Sequence, residues 1–355
     1  MSVMVDDPNN RSTGVFGIVM RVLLVSLVVM IGGKILLPGL DPTLLATQLG
    51  NGDASRLAIF AVGVGPAMTA LALGQIVRLV APQLDKSTAL LIVENVVALL
   101  LGFSQAAGIA QSLSTMGFLV DDSAFVYWVI VASLVGGVAI SLVLARLVAL
   151  PGLVAGLWIV WVLPALIGLP GEVSSSFELL RTGAADGGQL LLVLLVIVIG
   201  VALSWFAAHS VMRISRERVD FAGIKNHVHV LNVVVWPPLL AAIAGSYLLT
   251  PLAYIAPFLF ENATLLNIYT SGIIPVLIVV FVFGYRRFFS NAGVTMPVSV
   301  ALVVAVTHIA LLLGGGFAAR QMLLPLPLNG TTLLVLVAVI YALVDAIRRP
   351  SVQAT

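Results

Sequence analysis

The side chains best suited to metal binding or proton transfer are four histidines: His209, His227, His229 and His308. His227 and His229 are separated by one residue, so on a helix they would face different directions and lack metal-site spacing. We interpret them as an interfacial loop pair. His308 lies inside an apolar run, where an ionisable group is a candidate functional residue. We interpret it as a hydrogen-bonded interior residue whose partner the sequence does not name.

No catalytic constellation is recognisable. The chain has no cysteine, which excludes disulfides, thiolate metal sites and cysteine nucleophiles. Residues 314–316 are three glycines, but the Lys-Ser/Thr and the following helix of a phosphate-binding loop are missing. The serine–histidine pairs, paired aspartates and HExxH motifs of intramembrane proteases are not recognisable either. We therefore expect no enzyme activity, no cofactor and no metal site.

Carboxylates are scarce within the apolar runs. Glu94 lies near the start of one run and Asp345 near the end of the last, so we expect both to reach the membrane interface. A proton- or sodium-coupled carrier usually has a buried acid. This scarcity argues against a secondary transporter, although backbone carbonyls can also hold sodium.

The densest basic cluster consists of Arg213, Arg216, Arg218 and Lys225. One interpretation is an anchor for lipid headgroups. The other is a docking site for a cytoplasmic partner. Composition alone favours the lipid anchor.

Composition places the chain in a membrane. Its 355 residues are 61% hydrophobic and 9% charged, whereas a soluble domain carries about 25% charge. The pI near 9.1 does not indicate nucleic-acid binding, because the basic residues lie between hydrophobic runs. A membrane-crossing helix needs roughly 20 apolar residues. Ten runs predict crossings at 15–37, 57–80, 88–112, 124–148, 152–169, 188–212, 230–250, 269–289, 297–316 and 330–347.

The basic residues predict the orientation. With the N-terminus inside, 13 of the 17 basic residues fall on the inner side, as the positive-inside rule requires. The inner residues are Arg11, Arg21, Arg78, Lys86, Arg146, Arg213, Arg216, Arg218, Lys225, Arg286, Arg287, Arg348 and Arg349. The outer residues are Lys34, Arg56, Arg181 and Arg320.

A polar, Gly/Ser-rich segment divides the ten predicted helices into five and five. We expect an N-terminal half over 1–171, an outer connecting loop over 172–187 and a C-terminal half over 188–355. Many transporters and channels consist of two such halves around a central path. The predicted fold is therefore an all-α integral membrane protein in two five-helix halves.

Several stretches resemble motifs of SecY, the channel subunit of the protein-export translocon. Residues 37–42 (LPGLDP) resemble the family's PGID turn, and 55–66 resemble its SR-x-SIFALGI-x-P. Asn232 and Pro238 match its N-x5-P, and 329–335 resemble GGTSLLI at the start of the last helix. These matches occur in the family's order and span nearly the whole chain.

The resemblance implies an hourglass pore whose waist is a ring of apolar side chains, which resists ion leak by dewetting. By position, the ring would consist of Val64, Met68, Trp161, Leu240 and Val335. Trp161 departs from the family's usual aliphatic residue.

The resemblance also implies a lateral gate between the halves, with a polar cluster at Thr69, Gln105 and Asn232. Polar groups in membrane helices are costly unless they pair across an interface. Ordinary interhelical hydrogen bonding would account equally well for these three residues. Gln75 is also in register with a glutamine of the family.

The departures from the family lie in its partner-binding parts. Residues 41–55 are too few for the usual plug helix, and the 83–87 loop lacks the family's basic motif. The 151–156 connection lacks its polar motif, and the long basic hairpin after Arg287 is missing.

The implied function is a shortened SecY-type channel for translocation or insertion of polypeptides in a bacterial cytoplasmic membrane. Its partners would be signal-sequence-bearing polypeptides, membrane lipids and SecE-like and SecG-like subunits, and not nucleic acid. We expect weak or absent docking of SecA or the ribosome. Two alternatives stay open: a small-molecule permease of similar architecture, and a paralogue that serves as a membrane scaffold. A buried charged pair or a polar mid-membrane cavity would favour the permease.

The charge asymmetry predicts that both chain ends are cytoplasmic. A fluorescent protein fused after Thr355 should therefore be fluorescent, because it stays in the cytoplasm. Alkaline phosphatase fused at the same position should be inactive. Phosphatase activity at that position would show that the number of crossings is odd.

Overall fold

The structure is a computed structural model and describes residues 15–44, 57–85, 87–148, 153, 156–222, 229–258, 262–321 and 330–348. Long helices dominate the described residues. In chain order they are α1 Val15–Gly32, α2 Gly65–Val80, α3 Thr88–Thr115, α4 Ala124–Leu147, α5 Leu157–Arg181, α6 Gly187–Ala222, α7 Asn232–Ile255, α8 Ala263–Asn291, α9 (Val298–Ile309, the π-helical turn Ala310–Gly314, and Gly315–Gln321) and α10 Gly330–Arg348.

The predicted all-α, multi-pass membrane fold is confirmed. Seven helices of the described chain, α3 to α9, are long and apolar enough to cross a membrane. Shorter apolar helices occupy α1, α2 and α10. Each of the ten predicted crossings therefore contains one helix.

The second predicted crossing, 57–80, is helical only from Gly65, so its first eight residues are a correction to the prediction. Residues 57–59 instead run antiparallel to residues 35–37, which follow α1. The amide of Leu37 donates to the carbonyl of Leu57, and that of Ile59 donates to Ile35, each at 2.9 Å. Gly63 turns the chain toward α2 with a φ of +58°, a conformation that glycine adopts without steric cost.

Two glycines make room for this non-helical segment between α1 and α4. A Cβ on Gly32 would lie 2.1 Å from the ring of Phe60. A Cβ on Gly137 would lie 2.1 Å from the carbonyl oxygen of Ile59. The absence of both Cβ atoms lets the segment insert between the two helices and carry Val64 into the protein interior.

The turn after α1, which contains part of the PGID-like motif, is organised by Asp41. Its Oδ1 accepts hydrogen bonds from the hydroxyl of Thr43 at 2.6 Å and from the Thr43 amide at 2.8 Å. These bonds, first the hydroxyl and then the amide, lower the pKa of the exposed Asp41 carboxyl. The same turn pairs with the α3–α4 loop, where the amide of Val120 donates to Gly39 at 3.0 Å.

The fifth and sixth helices are longer than predicted. α5 starts at Leu157 and runs to Arg181, through Pro164 and Pro170, where a crossing over 152–169 was expected. Most of the expected connecting loop over 172–187 is therefore helical. α6 has 36 residues and continues past the predicted end at residue 212. Its length of about 54 Å exceeds the roughly 30 Å of a hydrocarbon core.

Most helix contacts lie within the first five helices or within the last five, and they are not confined to helices consecutive in the chain. α1 packs on α4 and α5, and α3 packs between α2 and α4. Further along the chain, α7 packs on α8, and α6 packs on α9 and α10. The two groups meet where α10 contacts α5 and where α2 contacts α7 and α8.

Substitution at Gly137 tests the insertion of the 57–64 segment. Gly137→Ala should destabilise the protein by about 1–3 kcal/mol, because the new methyl group would collide with the Ile59 carbonyl. Gly136→Ala is the matched control, since a Cβ there would have no neighbour within 4 Å. Thermal unfolding in detergent should separate the two variants, and equal unfolding midpoints would contradict this packing.

Candidate functional site: an apolar waist and a buried polar cluster

The helices that carry the predicted ring are neighbours: α2 contacts α7, α7 contacts α10, and α10 contacts α5. Val64, Met68, Leu240 and Val335 are 8%, 3%, 0% and 0% exposed and belong to one continuous hydrophobic cluster. Trp161 is half-buried and packs against the same cluster. The side chains of Val64, Met68, Leu240 and Val335 therefore face the protein interior.

Three tryptophans link α5 to α7 beside these residues. Trp161 and Trp158 meet edge to face at 6.1 Å, and Trp158 and Trp236 do so at 4.8 Å. Trp158 and Trp236 are each 1% exposed. Such edge-to-face pairs contribute about 0.5–1.5 kcal/mol beyond area burial. Sequence reasoning singled out only Trp161, although the i, i+3 spacing of Trp158 and Trp161 places them on one helix face.

His308 replaces a backbone hydrogen-bond donor that a proline removes from α7. Pro238 has no amide hydrogen, so the carbonyl of Val234 loses its usual helical donor. Nε2 of His308 lies 2.8 Å from that carbonyl oxygen and is fully buried. Because a carbonyl can only accept, Nε2 carries the proton. The interpretation of His308 as a hydrogen-bonded interior residue is confirmed, and its partner is a backbone group of α7.

The three residues proposed for the lateral gate lie in different surroundings. The hydroxyl of Thr69 donates within its own helix to Gly65 at 3.1 Å. Gln105 is exposed on α3, and Asn232 is 5% exposed at the first residue of α7. Oδ1 of Asn232 has no hydrogen-bond partner within the described residues. No hydrogen bond joins the three side chains there.

A buried ion pair joins α2 to α3. The guanidinium of Arg78 donates two bonds to Glu94, Nη1 to Oε1 at 2.5 Å and Nη2 to Oε2 at 3.0 Å. The two side chains are 8% and 4% exposed. Asp85 lies 3.5 Å from Nε of the same guanidinium. Gly74 makes room for this pair, because a Cβ there would lie 1.6 Å from the Glu94 carboxylate.

Both acidic residues expected at the interface are therefore buried in protein. Glu94 turns inward onto α2, where Arg78 neutralises it and the small Gly74 admits it. Asp345 is 6% exposed near the end of α10. This burial was not predictable, because position along a helix does not reveal which face meets a neighbouring helix. The interfacial depth of both acids stays a prediction.

Next to the ion pair, a hydrogen bond connects α2 to α8. The hydroxyl of Tyr285 donates to Oε1 of Gln75 at 2.9 Å, and both side chains are buried. The motif match had singled out Gln75, but its partner, 210 residues away, was not predictable. We call Gln75, Arg78, Glu94 and Tyr285 the buried polar cluster.

The other predicted features are only partly described. Arg213 is exposed near the end of the membrane-capable part of α6. Arg216 and Arg218 follow on the same helix backbone, and Lys225 lies outside the described residues. Most of the 41–55 segment, where a plug helix was not expected, also lies outside them. Within the described part, no group of three or more His, Cys, Asp or Glu residues could hold a metal ion.

The comparisons with known proteins identify the class of fold. No protein-family model and no curated protein matches the chain. A solved SecY structure matches with a TM-score of 0.57 at 12% sequence identity, covering 95% of this chain and 92% of that one. That structure was described in a study of how the SecY plug domain stabilises the closed state of the translocation channel and maintains a membrane seal.

The chain therefore has a SecY-like fold. The structural match extends over nearly its whole length, as the sequence motifs did.

The stability losses from removing each member of the ion pair should not add. Arg78→Met or Glu94→Gln alone should cost about 3–5 kcal/mol of stability, because each leaves a buried group without its partner. The double variant should lose clearly less than the sum of the two. Unfolding measured for all four proteins in detergent gives the coupling energy. Additive losses would show that the pair does not couple α2 to α3.

Proposed function

We propose that this protein is a SecY-like channel that conducts polypeptides across or into a membrane. The observation that carries the proposal is the SecY-like fold, which extends over 95% of the chain. Support also comes from the waist, where buried apolar residues stand at the positions that the motif matches assign to the pore ring.

The packed waist suits a closed channel. An apolar constriction excludes water and so resists ion passage, yet its side chains can separate around a peptide without breaking specific bonds. Val64, Met68, Leu240 and Val335, with Trp161 beside them, would form that constriction. Thr69, Gln105 and Asn232 would lie along the lateral gate.

The buried ion pair is the feature that could favour a small-molecule permease. Arg78 and Glu94 satisfy each other through two hydrogen bonds, near the end of α2 and six residues into α3. A transport carboxylate must instead be free to take up and release its ion. A groove of about 630 Å³ on α6 runs from Ile197 to His209 and is lined almost wholly by apolar side chains. Neither feature offers a polar site for a small substrate, so we favour the channel.

The remaining assignments follow from the channel proposal. The protein would lie in a bacterial cytoplasmic membrane with both ends inside, and SecE-like and SecG-like subunits would accompany it. Arg213, Arg216, Arg218 and Lys225 would contact anionic lipids, each contributing about 1 kcal/mol. This small basic surface favours weak or absent docking of SecA or the ribosome.

Weakening the waist should make the membrane leak. Replacing Leu240 and Val335 together with glycine should raise ion flux several-fold, because a wider, wetter constriction no longer excludes hydrated ions. The flux would be measured in proteoliposomes with a potential-sensitive dye.

The matched control replaces Leu194 and Val198, two exposed apolar residues of α6, with glycine. These changes remove similar side chains from the outer surface and should leave the flux unchanged. Equal flux from both double variants would contradict the assignment of the waist to Leu240 and Val335.

A further inference from the structure

The hydrogen bond between Tyr285 and Gln75 joins an early helix of the chain to a late one. Gln75 lies toward the end of α2 and Tyr285 toward the end of α8, and the two are 4% and 1% exposed. The phenol oxygen and the amide oxygen are 2.9 Å apart. In surroundings of low dielectric, either group left without its partner would be costly.

The two helices are close-packed at the same level. Cδ1 of Leu79, one turn beyond Gln75, lies 3.8 Å from the place that a Cβ would take on Gly284. Gly284 directly precedes Tyr285 in α8. We call this contact of Gln75 and Leu79 with Gly284 and Tyr285 the α2–α8 seam.

The ion pair keeps α2 in the orientation that the seam requires. Gln75 stands between Gly74, over which the Glu94 carboxylate lies, and Arg78, which binds that carboxylate. α2 is thus fastened to α3 by a charge-assisted pair of hydrogen bonds from Arg78 and to α8 by one neutral hydrogen bond to Gln75. Charge-assisted bonds are roughly twice as strong as neutral ones. When the helices separate, the contact with α8 is therefore the weaker of the two.

We infer that the Tyr285–Gln75 hydrogen bond is a latch that holds the α2–α8 seam closed and breaks when the seam opens. The inference rests on the proposed channel, in which a lateral opening between the two groups of helices lets apolar segments leave into lipid. Because the bond is single, neutral and isolated from water, it favours the closed arrangement of the seam. The free energy needed to break it on opening is small.

The native chain has no cysteine, which allows a direct test. Leu79→Cys and Gly284→Cys would place the only two thiols of the protein across the seam. Cross-linking of intact protein in proteoliposomes with a short bifunctional thiol reagent then reports the closed fraction. Tyr285→Phe or Gln75→Met should raise the ratio of open to closed protein about fivefold, the change expected from one net hydrogen bond. The two changes together should act no more strongly than either alone, because both remove the same bond.

Tyr247→Phe is the control, since Tyr247 is an exposed tyrosine on α7. Cross-linking yields for Tyr285→Phe that equal those of the control would overturn the latch, as would fully additive effects of the two changes. The midpoint of thermal unfolding, measured alongside, should fall little in Tyr285→Phe, because the ring remains. If the protein transports a polypeptide but Tyr285→Phe leaves the cross-linking yield unchanged, the latch alone is refuted. If Tyr285→Phe changes the cross-linking yield but the protein transports no polypeptide, the channel is refuted and the latch stands.

Discussion

Inside a bilayer no water is available to hydrogen-bond an exposed amide, carbonyl or charge, so each such group must find its partner within the protein. This constraint accounts for the unusual pairings of the structure. Pro238 deprives the Val234 carbonyl of its donor, and His308 supplies another from α9. Arg78 would be prohibitively costly alone, and Glu94 neutralises it with two bonds.

These pairings also determine how the helices are arranged. His308 ties α9 to the proline-containing α7, Glu94 ties α3 to α2, and Tyr285 ties α8 to α2. Val64, Met68, Leu240 and Val335 carry no group that donates or accepts a strong hydrogen bond, so these four buried side chains need only pack. Under the proposed function, fixed polar joints would hold the helices while a constriction without directional bonds opens and reseals.

The sequence predicted the class of fold and all ten helical segments, because a run of apolar residues reports directly on membrane crossing. It did not predict that residues 57–64 leave the helix, which depends on contacts with Gly32 and Gly137 in other helices. Nor could it place Glu94 inward or find the partner of Gln75, since these depend on helix rotation and on neighbours up to 210 residues away. Within the candidate site, the motif matches predicted the apolar positions. The contacts among the tryptophans and the hydrogen bonds between polar side chains of different helices were visible only in the structure.

The most direct test of the central claim is whether a polypeptide passes through the waist. A photoreactive amino acid would replace Leu240 or Val335 in turn, and Val198 on the outer face of α6 would serve as the control position. A secretory polypeptide carrying a signal sequence and a folded C-terminal block would be arrested in transit and irradiated. The account predicts cross-links to the arrested chain from Leu240 and Val335 and none from Val198. Arrested chains that cross-link to neither waist position would contradict it.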